Sequence, residues 1–517
     1  MHYEFSMEPQ EYWWGGTSVD GLAAPFDRNT NLKRDFAHSA PNQTMPLYLS
    51  SLGRSIWSSH PFAVDIHDGI FHIDGDDVVL EKWGDTLQDA YCGTMKRYFP
   101  PRGNPLPPEF FKNPQYNTWM QMAYEQNQEG VMKYARGILE NGFTPGILMI
   151  DEGWQMDYGV WDFDRAKFPD PESMVKQLHE MGFLVMLWVV PYVCASGKLF
   201  AKEIRKDFNP DTYDKVFLRN QNGDVAITRW WNGYSAILDF TKEWDREFLS
   251  RQLQYLIDTY GIDGFKFDGG TVTSYSNISC INGPLNEDST AGARNIAWND
   301  FGTQYPFHEY KDTYCGGGKR TIQRLRDRAH SWDTEGINTI IPNALLLGLL
   351  GHPFICPDMI GGGEWTFREM NRPVDEELFV RMAQCAAMFP MMQFSWAPWE
   401  AVGTESLHLI KAAEQFRLEN RDYIMKLVHQ AHIDGEPILR TLEYNYPHMG
   451  YHEEKNMFML GEDLLVAPIT KKEQQEISLL LPPGTWIAFD GKTYEGNQPV
   501  VMPVTLADLP HFWRQHP

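Results

Sequence analysis

Two different spacings of apolar residues alternate along this chain, and the change from one to the other divides it in three. Up to about residue 105, short runs such as Met45-Pro-Leu-Tyr-Leu-Ser, Phe62-Ala-Val-Asp-Ile, Ile70-Phe-His-Ile and Val78-Val-Leu are separated by Gly and Asp turns, which predicts a small β-sandwich-like domain over residues 1–105. Pro100-Pro-Arg-Gly-Asn-Pro-Leu-Pro-Pro then reads as a linker, because proline prevents helix and brings no amide donor to a sheet. From 106 to 425, near-continuous apolar runs alternate with amphipathic stretches. Strands are expected at Ile147-Leu-Met-Ile, Phe183-Leu-Val-Met-Leu-Trp-Val-Val, Gly264 to Phe267, Thr321-Ile-Gln-Arg-Leu, Pro353-Phe-Ile-Cys and Pro390-Met-Met-Gln-Phe. Helices are expected over 173–181, 245–260, 338–350 and 375–387. Strands apolar on both faces and joined by helices mean a parallel sheet covered on both sides. Their number favours a (β/α)8 barrel over an open doubly wound sheet, and no Gly-x-Gly-x-x-Gly follows the early strands. Short alternating strands return over 426–517, as in Leu464-Leu-Val-Ala-Pro and Glu476-Ile-Ser-Leu-Leu-Leu. The expected fold class is α/β, a TIM barrel flanked by an N-terminal β domain and a C-terminal antiparallel β domain.

Chemistry gathers at the strand ends. In Gly261-Ile-Asp-Gly-Phe-Lys-Phe-Asp-Gly-Gly-Thr271 a short strand ends on Lys266 and Asp268, two residues apart and so on one face, before paired glycines turn the backbone. An ammonium beside a carboxylate keeps it ionised, as a carboxylate nucleophile requires; the same letters also read as a simple strand-end ion pair. Asp151, Asp358 and Asp333 end other barrel strands or the segments after them, and such residues converge on the barrel mouth. Two facing carboxyl groups, one charged and one protonated, are the minimum for glycoside hydrolysis. Asp268 suits the charged role. Asp333, beside Trp332 with Arg328 not far along the chain, suits the proton donor, with the alternative that it caps a helix starting near Thr334. Trp188 and Trp231 offer flat faces for a sugar or for the barrel core.

Composition narrows the partners. There are 45 Lys and Arg against 69 Asp and Glu, a formal net charge of −24, so nucleic acid and anionic membrane are not expected partners. The six cysteines form no Cys-x-x-Cys pair, and neither disulfides nor a structural zinc is expected. No His-Glu-x-x-His is present, Gly316-Gly-Gly-Lys-Arg is not a P-loop, and no Gly-x-Ser-x-Gly elbow occurs, so no metal and no cofactor is expected. His330 and His352 lie near the expected mouth without a catalytic spacing. The first residues have neither a basic start nor an apolar run, which reads as cytoplasmic, or as secreted or periplasmic had a leader been removed.

Together these motifs resemble glycoside hydrolase family 31, retaining enzymes acting on α-linked sugars. The resemblance rests on Phe168-Pro-Asp-Pro-Glu-Ser-Met, on Trp231 to Thr241, on Gly264 to Asp268, on Asp358-Met-Ile-Gly-Gly, and on Phe458-Met-Leu-Gly-Glu-Asp-Leu-Leu-Val-Ala-Pro with Leu481-Pro-Pro-Gly-Thr-Trp. It implies Asp268 as nucleophile and Asp333 as acid/base, with Asp151, Trp231, Arg324 and Asp358 lining the subsite of the non-reducing sugar. Trp188, Lys266, Arg328, Trp332 and Ser395 complete the candidate substrate-binding set. The family's Trp-x-Gly-Asp is replaced by adjacent Trp332 and Asp333, and its Arg-Asn-His by Gln393-Phe-Ser-Trp. Lys-Phe-Asp, Pro357-Asp-Met-Ile-Gly-Gly and Phe394-Ser look closer to an α-galactosidase-like branch, and Ile150-Asp-Glu-Gly-Trp is similar to the Asp-Asp-Gly-Trp of related α-galactosidases.

The expectation is therefore an exo-acting retaining α-glycosidase on terminal α-galactosides, with its two carboxyl groups ~5 to 5.5 Å apart. Alternatives are an α-glucosidase or α-xylosidase of the same family, a metal-dependent barrel using Lys266 as base, and a catalytically silent sugar-binding protein. The expected partner is an oligosaccharide or glycoside; the oligomeric state, homo-oligomer included, stays open.

Overall fold

Why the middle of the chain reads as near-continuous apolar strands becomes plain in the computed structural model, which describes residues 1–207, 216–369 and 372–516. Eight parallel strands form a ring: β1 (Gln115–Asn117), β2 (Ile147–Ile150), β3 (Leu184–Val189), β4 (Gly264–Phe267), β5 (Phe307–Tyr310), β6 (Ile322–Arg324), β7 (Ile355–Cys356, resumed at Met359–Ile360) and β8 (Gln393–Phe394). The first half of β7 pairs with β6 and the second half with β8, which in turn pairs with β1, so the ring closes through the step at Pro357 and Asp358. β2, β4 and nearly all of β3 are buried because helices cover them outside and side chains fill the inside. The covering helices have clear ends: Asp170 caps Pro171–Glu180, Asp375 caps Glu376–Ala387, and Glu243–Tyr260 stops at left-handed Gly261.

Two strands escape the apolar-run reading. β1 is Gln-Tyr-Asn and β5 is Phe-His-Glu-Tyr, and their polar residues Gln115, Asn117 and Glu309 are buried. A strand that carries buried polar groups beneath the site loses the hydrophobic signature that marks its neighbours.

The first hundred residues fold as two antiparallel sheets. One has His2–Ser6, Ile70–Asp74, Ala63–His67 and Leu32–Asp35 in that order; the other is centred on Gln43–Ser50. Both contribute to one apolar core, which includes Trp13, Tyr48, Ile56, Ile66 and Phe71 and takes in Leu346, Leu349 and Leu350 from the barrel side. The strand Thr313–Tyr314, just after β5, adds in parallel to Gln43–Thr44. The proline-rich stretch is docked rather than free: the Arg102 amide donates to the Gly318 carbonyl at 2.9 Å, and the Arg320 amide donates to Arg102 at 3.0 Å.

After helices Thr404–Glu419 and Arg421–Asp434, a six-stranded sheet and a two-stranded antiparallel pair, Glu476–Leu480 with Pro499–Pro503, share a third core around Met459, Leu465, Trp486 and Phe512. All six cysteines are free thiols. Among the described residues, no helix is long and apolar enough to cross a membrane.

Candidate active site

A cavity of about 190 Å³ opens at the C-terminal ends of the barrel strands, lined among others by Asp151, Glu152, Trp188, Trp231, Lys266, Asp268, Lys311, Arg324 and Asp327. Strand register builds its floor: Trp188, Lys266 and Glu309 are neighbours across β3, β4 and β5, so all three project the same way. Asp268 follows two residues after Lys266 and enters the same space. Its Oδ2 accepts from Trp188 Nε1 at 3.1 Å and its Oδ1 from the Gly269 amide at 2.8 Å. Gly269 and Gly270 both have φ +62°, and a Cβ on them would lie 2.6 Å from Tyr192 and Trp298 respectively, so only glycine makes this turn without strain.

The cation expected to serve Asp268 is bonded to another group and reaches Asp268 only through its charge. Lys266 Nζ sits 2.7 Å from Asp151 Oδ2, which also accepts from Asn117 at 2.6 Å. The nearer cation to Asp268 is Lys311, at 3.8 Å, and Lys311 also holds Asp327 at 2.6 Å. Burial pushes the Asp268 carboxyl up, but Lys311 and then Lys266 outweigh it and hold it below the usual carboxylate range. Asp327 is treated alike: burial opposes ionisation, while Lys311 and Arg324 pull the carboxyl well below its ordinary value. Arg324 donates to Asp327 at 2.8 Å and pairs with Asp358 on its other side. Asp358, with φ +116°, also accepts from the Arg328 amide at 2.7 Å. A non-glycine residue in that conformation is strained, and here the strain aims the carboxylate at Arg324.

Glu152 differs from Asp151, Asp268 and Asp327 in the same cavity. Among the described residues no cation is paired with it; it accepts from Tyr158 at 2.6 Å, from Trp231 Nε1 at 3.2 Å and from Asn232. Burial pushes it up to about 8, helped by the charges of Asp151 and Asp268 against the hydrogen bonds of Tyr158 and Trp231. The cavity therefore contains a carboxyl that is largely protonated at neutral pH. Trp231 reaches it from the turn of a hairpin, Ile227–Trp230 and Gly233–Ile237, that pairs with Tyr192–Cys194 over the mouth.

Of the residues singled out from the sequence, Asp151, Trp188, Trp231, Lys266, Asp268 and Arg324 meet in this cavity. The others do not line it. Asp333 is exposed on the surface, where Ser331 Oγ and the Glu335 amide donate to it at 2.6 and 2.9 Å. These bonds close a local turn and not the helix cap of its alternative reading, since the first helical turn begins only at Ile337 behind Gly336, and Asp333 does not line the cavity that holds Asp268. Trp332 donates to Asp375 at 3.0 Å. Asp358 and Arg328 are buried behind Arg324, and Ser395 Oγ accepts from the Met120 amide at 2.7 Å, fixing the short helix Trp119–Met122. Sequence reasoning missed Glu152, Lys311 and Asp327. For Asp327 the signal was Arg324-x-x-Asp327 directly after β6, much nearer the strand end than Asp333.

The domain at the start of the chain also reaches the site. Gln43 Nε2 donates to the main-chain carbonyls of Lys311 at 2.9 Å and Arg324 at 2.8 Å, while its Oε1 accepts from Ser18 at 2.8 Å. One amide thus ties together the ends of β5 and β6, which present the two cations around Asp327.

Residues 104–427 match the family model of the glycosyl hydrolases family 31 TIM-barrel domain, and residues 435–516 match the family 31 C-terminal domain. The myogenesis-regulating glycosidase of Mus musculus is 31% identical over 441 residues, 83% of this chain and 58% of that protein. Alpha-glucosidase 2 of Bacillus thermoamyloliquefaciens is 24% identical over 513 residues, 89% of this chain and 62% of that protein. The chain thus spans less than two thirds of the length of these relatives. A Flavobacterium johnsoniae GH31 dextranase complexed with glucose superposes with a TM-score of 0.83 at 18% identity, over 99% of this chain and 66% of that one, which speaks for the fold. With both the barrel and the β domain behind it matched in order, the chain belongs to glycosyl hydrolase family 31.

Proposed function

We propose that this protein is an exo-acting retaining α-glycosidase in which Asp268 is the nucleophile and Asp327, in place of Asp333, moves the proton. The observation that carries the reading is the pair of carboxylates in one cavity that share the Lys311 ammonium. Asp268 attacks the anomeric carbon as the bond to the leaving oxygen breaks, and that oxygen takes a proton from Asp327. Water then adds to the anomeric carbon, gives its proton to Asp327 and releases Asp268. The side chain of Asp327 is 29% exposed against 10% for Asp268, which suits the group that must meet both the leaving group and the water. To serve as the acid Asp327 must take up a proton, against the pull of Lys311 and Arg324 on its carboxyl. The charge on Asp268 raises the proton affinity of Asp327.

For the sugar, the reading is terminal α-galactose. Its axial 4-hydroxyl leaves a continuous apolar face of ring C–H groups for a tryptophan such as Trp188 or Trp231, and Asp151 with Glu152 offer adjacent partners to neighbouring hydroxyls. A panel of p-nitrophenyl α-galactoside, α-glucoside and α-xyloside should give the highest kcat/KM with the galactoside. Preference for another sugar replaces the substrate and keeps the reaction, whereas saturable binding without release of nitrophenol from any of them overturns the hydrolase.

The D268A variant should lose turnover by at least about 10⁴-fold, with azide restoring it to give a glycosyl azide of inverted configuration. D327A should slow an unactivated disaccharide by about 10²–10⁴-fold and an activated aryl glycoside far less. D333A should stay within about twofold of the parent. Loss of activity in D333A with none in D327A would return the proton to Asp333.

A further inference from the structure

The outward face of the first sheet gathers histidines and acids that the barrel chemistry does not use. In His2–Ser6 the side chains of His2 and Glu4 share one face, and antiparallel register with Ile70–Asp74 sets Glu4 opposite His72 and His2 opposite Asp74. The alternate residues Phe71 and Ile73 are buried in the core, so this polar set faces solvent.

Its geometry is that of a ligand set. His2 Nδ1 lies 2.8 Å from Asp74 Oδ1, which leaves Nε2 pointing to Glu4, 3.5 Å from Oε1. His72 Nδ1 is 3.3 Å from the same oxygen, and one donor atom from each of the three residues lies within 4.8 Å of the other two. Tetrahedral zinc with bonds of about 2.0–2.2 Å spaces adjacent donors at about 3.3–3.5 Å. A carboxylate on the far nitrogen of a histidine fixes the tautomer and ring orientation that a metal needs, and Asp74 is so placed. Lys33, on the same sheet, is engaged by Asp65 at 2.6 Å and leaves Glu4 to the histidines.

We propose that His2, Glu4 and His72 bind a divalent transition metal of the zinc type, with Asp74 orienting His2. The side chains of His2 and Glu4 are 52% and 59% exposed, so water completes the coordination. Two ligands come from the edge strand His2–Ser6 and one from its neighbour, so the metal fastens that edge to the sheet. The site is separate from the barrel cavity and stands whatever sugar, if any, the barrel turns over.

The test is calorimetric titration of the tag-free, metal-stripped full chain with zinc chloride, with the thermal midpoint measured with and without zinc. One saturable site with a raised midpoint is expected. H72A and E4A should each weaken binding at least tenfold, while H60A, at a histidine outside the set, should bind like the parent; far-UV circular dichroism confirms that the variants remain folded. Anomalous scattering at the zinc edge should place the ion between His2 and His72. Absence of saturable binding, equal affinity in H72A and the parent, or an anomalous peak elsewhere overturns the site.

Discussion

Glu152 illustrates how one side chain can set a pH dependence that no motif announces. Its carboxyl, pushed up to about 8 by burial, holds its proton in the folded chain over a range where it would be ionised in the unfolded one. The stability it contributes is therefore fully present below the ordinary glutamate value and lost as pH rises through about 8. Glutamine copies the protonated form. E152Q should accordingly raise the unfolding midpoint more at pH 8.5 than at pH 5, and should flatten the rise in KM with which the parent responds above pH 8. Identical KM profiles for the two proteins would mean that Glu152 carries its charge throughout. The residue stood in plain sight in Asp-Glu-Gly-Trp, yet letters do not tell that Lys266 pairs with Asp151 and not with its neighbour Glu152. Asp327 was hidden for a related reason. It lies among Arg324, Arg326 and Arg328, which in sequence look like a solvated basic stretch, while Trp332 drew attention to Asp333.

At the scale of the element, the turn after β4 decides where the Asp268 carboxylate stands. Alanine at Gly270 would carry a Cβ 2.6 Å from the Trp298 ring at a φ that L-residues avoid. We expect G270A to cost about 1–3 kcal/mol of stability, read by chemical denaturation, and to lower kcat more than it changes KM, because the Gly269 amide would no longer hold Asp268 in line. An unchanged kcat would show that the turn does not set the carboxylate's position. This stretch was legible from sequence because its rule is backbone-local: alternate residues share a face, and glycine permits the bend. β1 and β5 were not legible, since Glu309 and Gln115 belong to a buried polar layer whose partners come from other strands, Arg324 from the next one and Gln393 from one 278 residues away. The cluster on the first sheet proposed to hold a metal escaped for the same reason. Spacing rules for zinc look along one segment, whereas His2 and His72 meet only through strand pairing.

Across the whole molecule, the domains are joined by apolar contact as well as by chain. The N-terminal core takes in Leu346, Leu349 and Leu350 beside the barrel and Tyr444 from beyond it. Calorimetry should therefore show one cooperative transition spanning the N-terminal domain and the barrel, and a chain beginning at residue 104 should be insoluble or inactive, since it would expose that apolar surface to water. A separate low-temperature transition, with activity surviving it, would contradict this. The family's barrel model starts at residue 104, but the barrel's working end extends back to Gln43, whose amide spans the Lys311 and Arg324 carbonyls. These bonds link positions 268 and 281 residues apart. During refolding, helices that form from local contacts appear early, whereas closures of this range come late. Hydrolytic competence should accordingly trail the recovery of helical signal, and a Q43A chain should widen that delay while ending with nearly the same secondary structure.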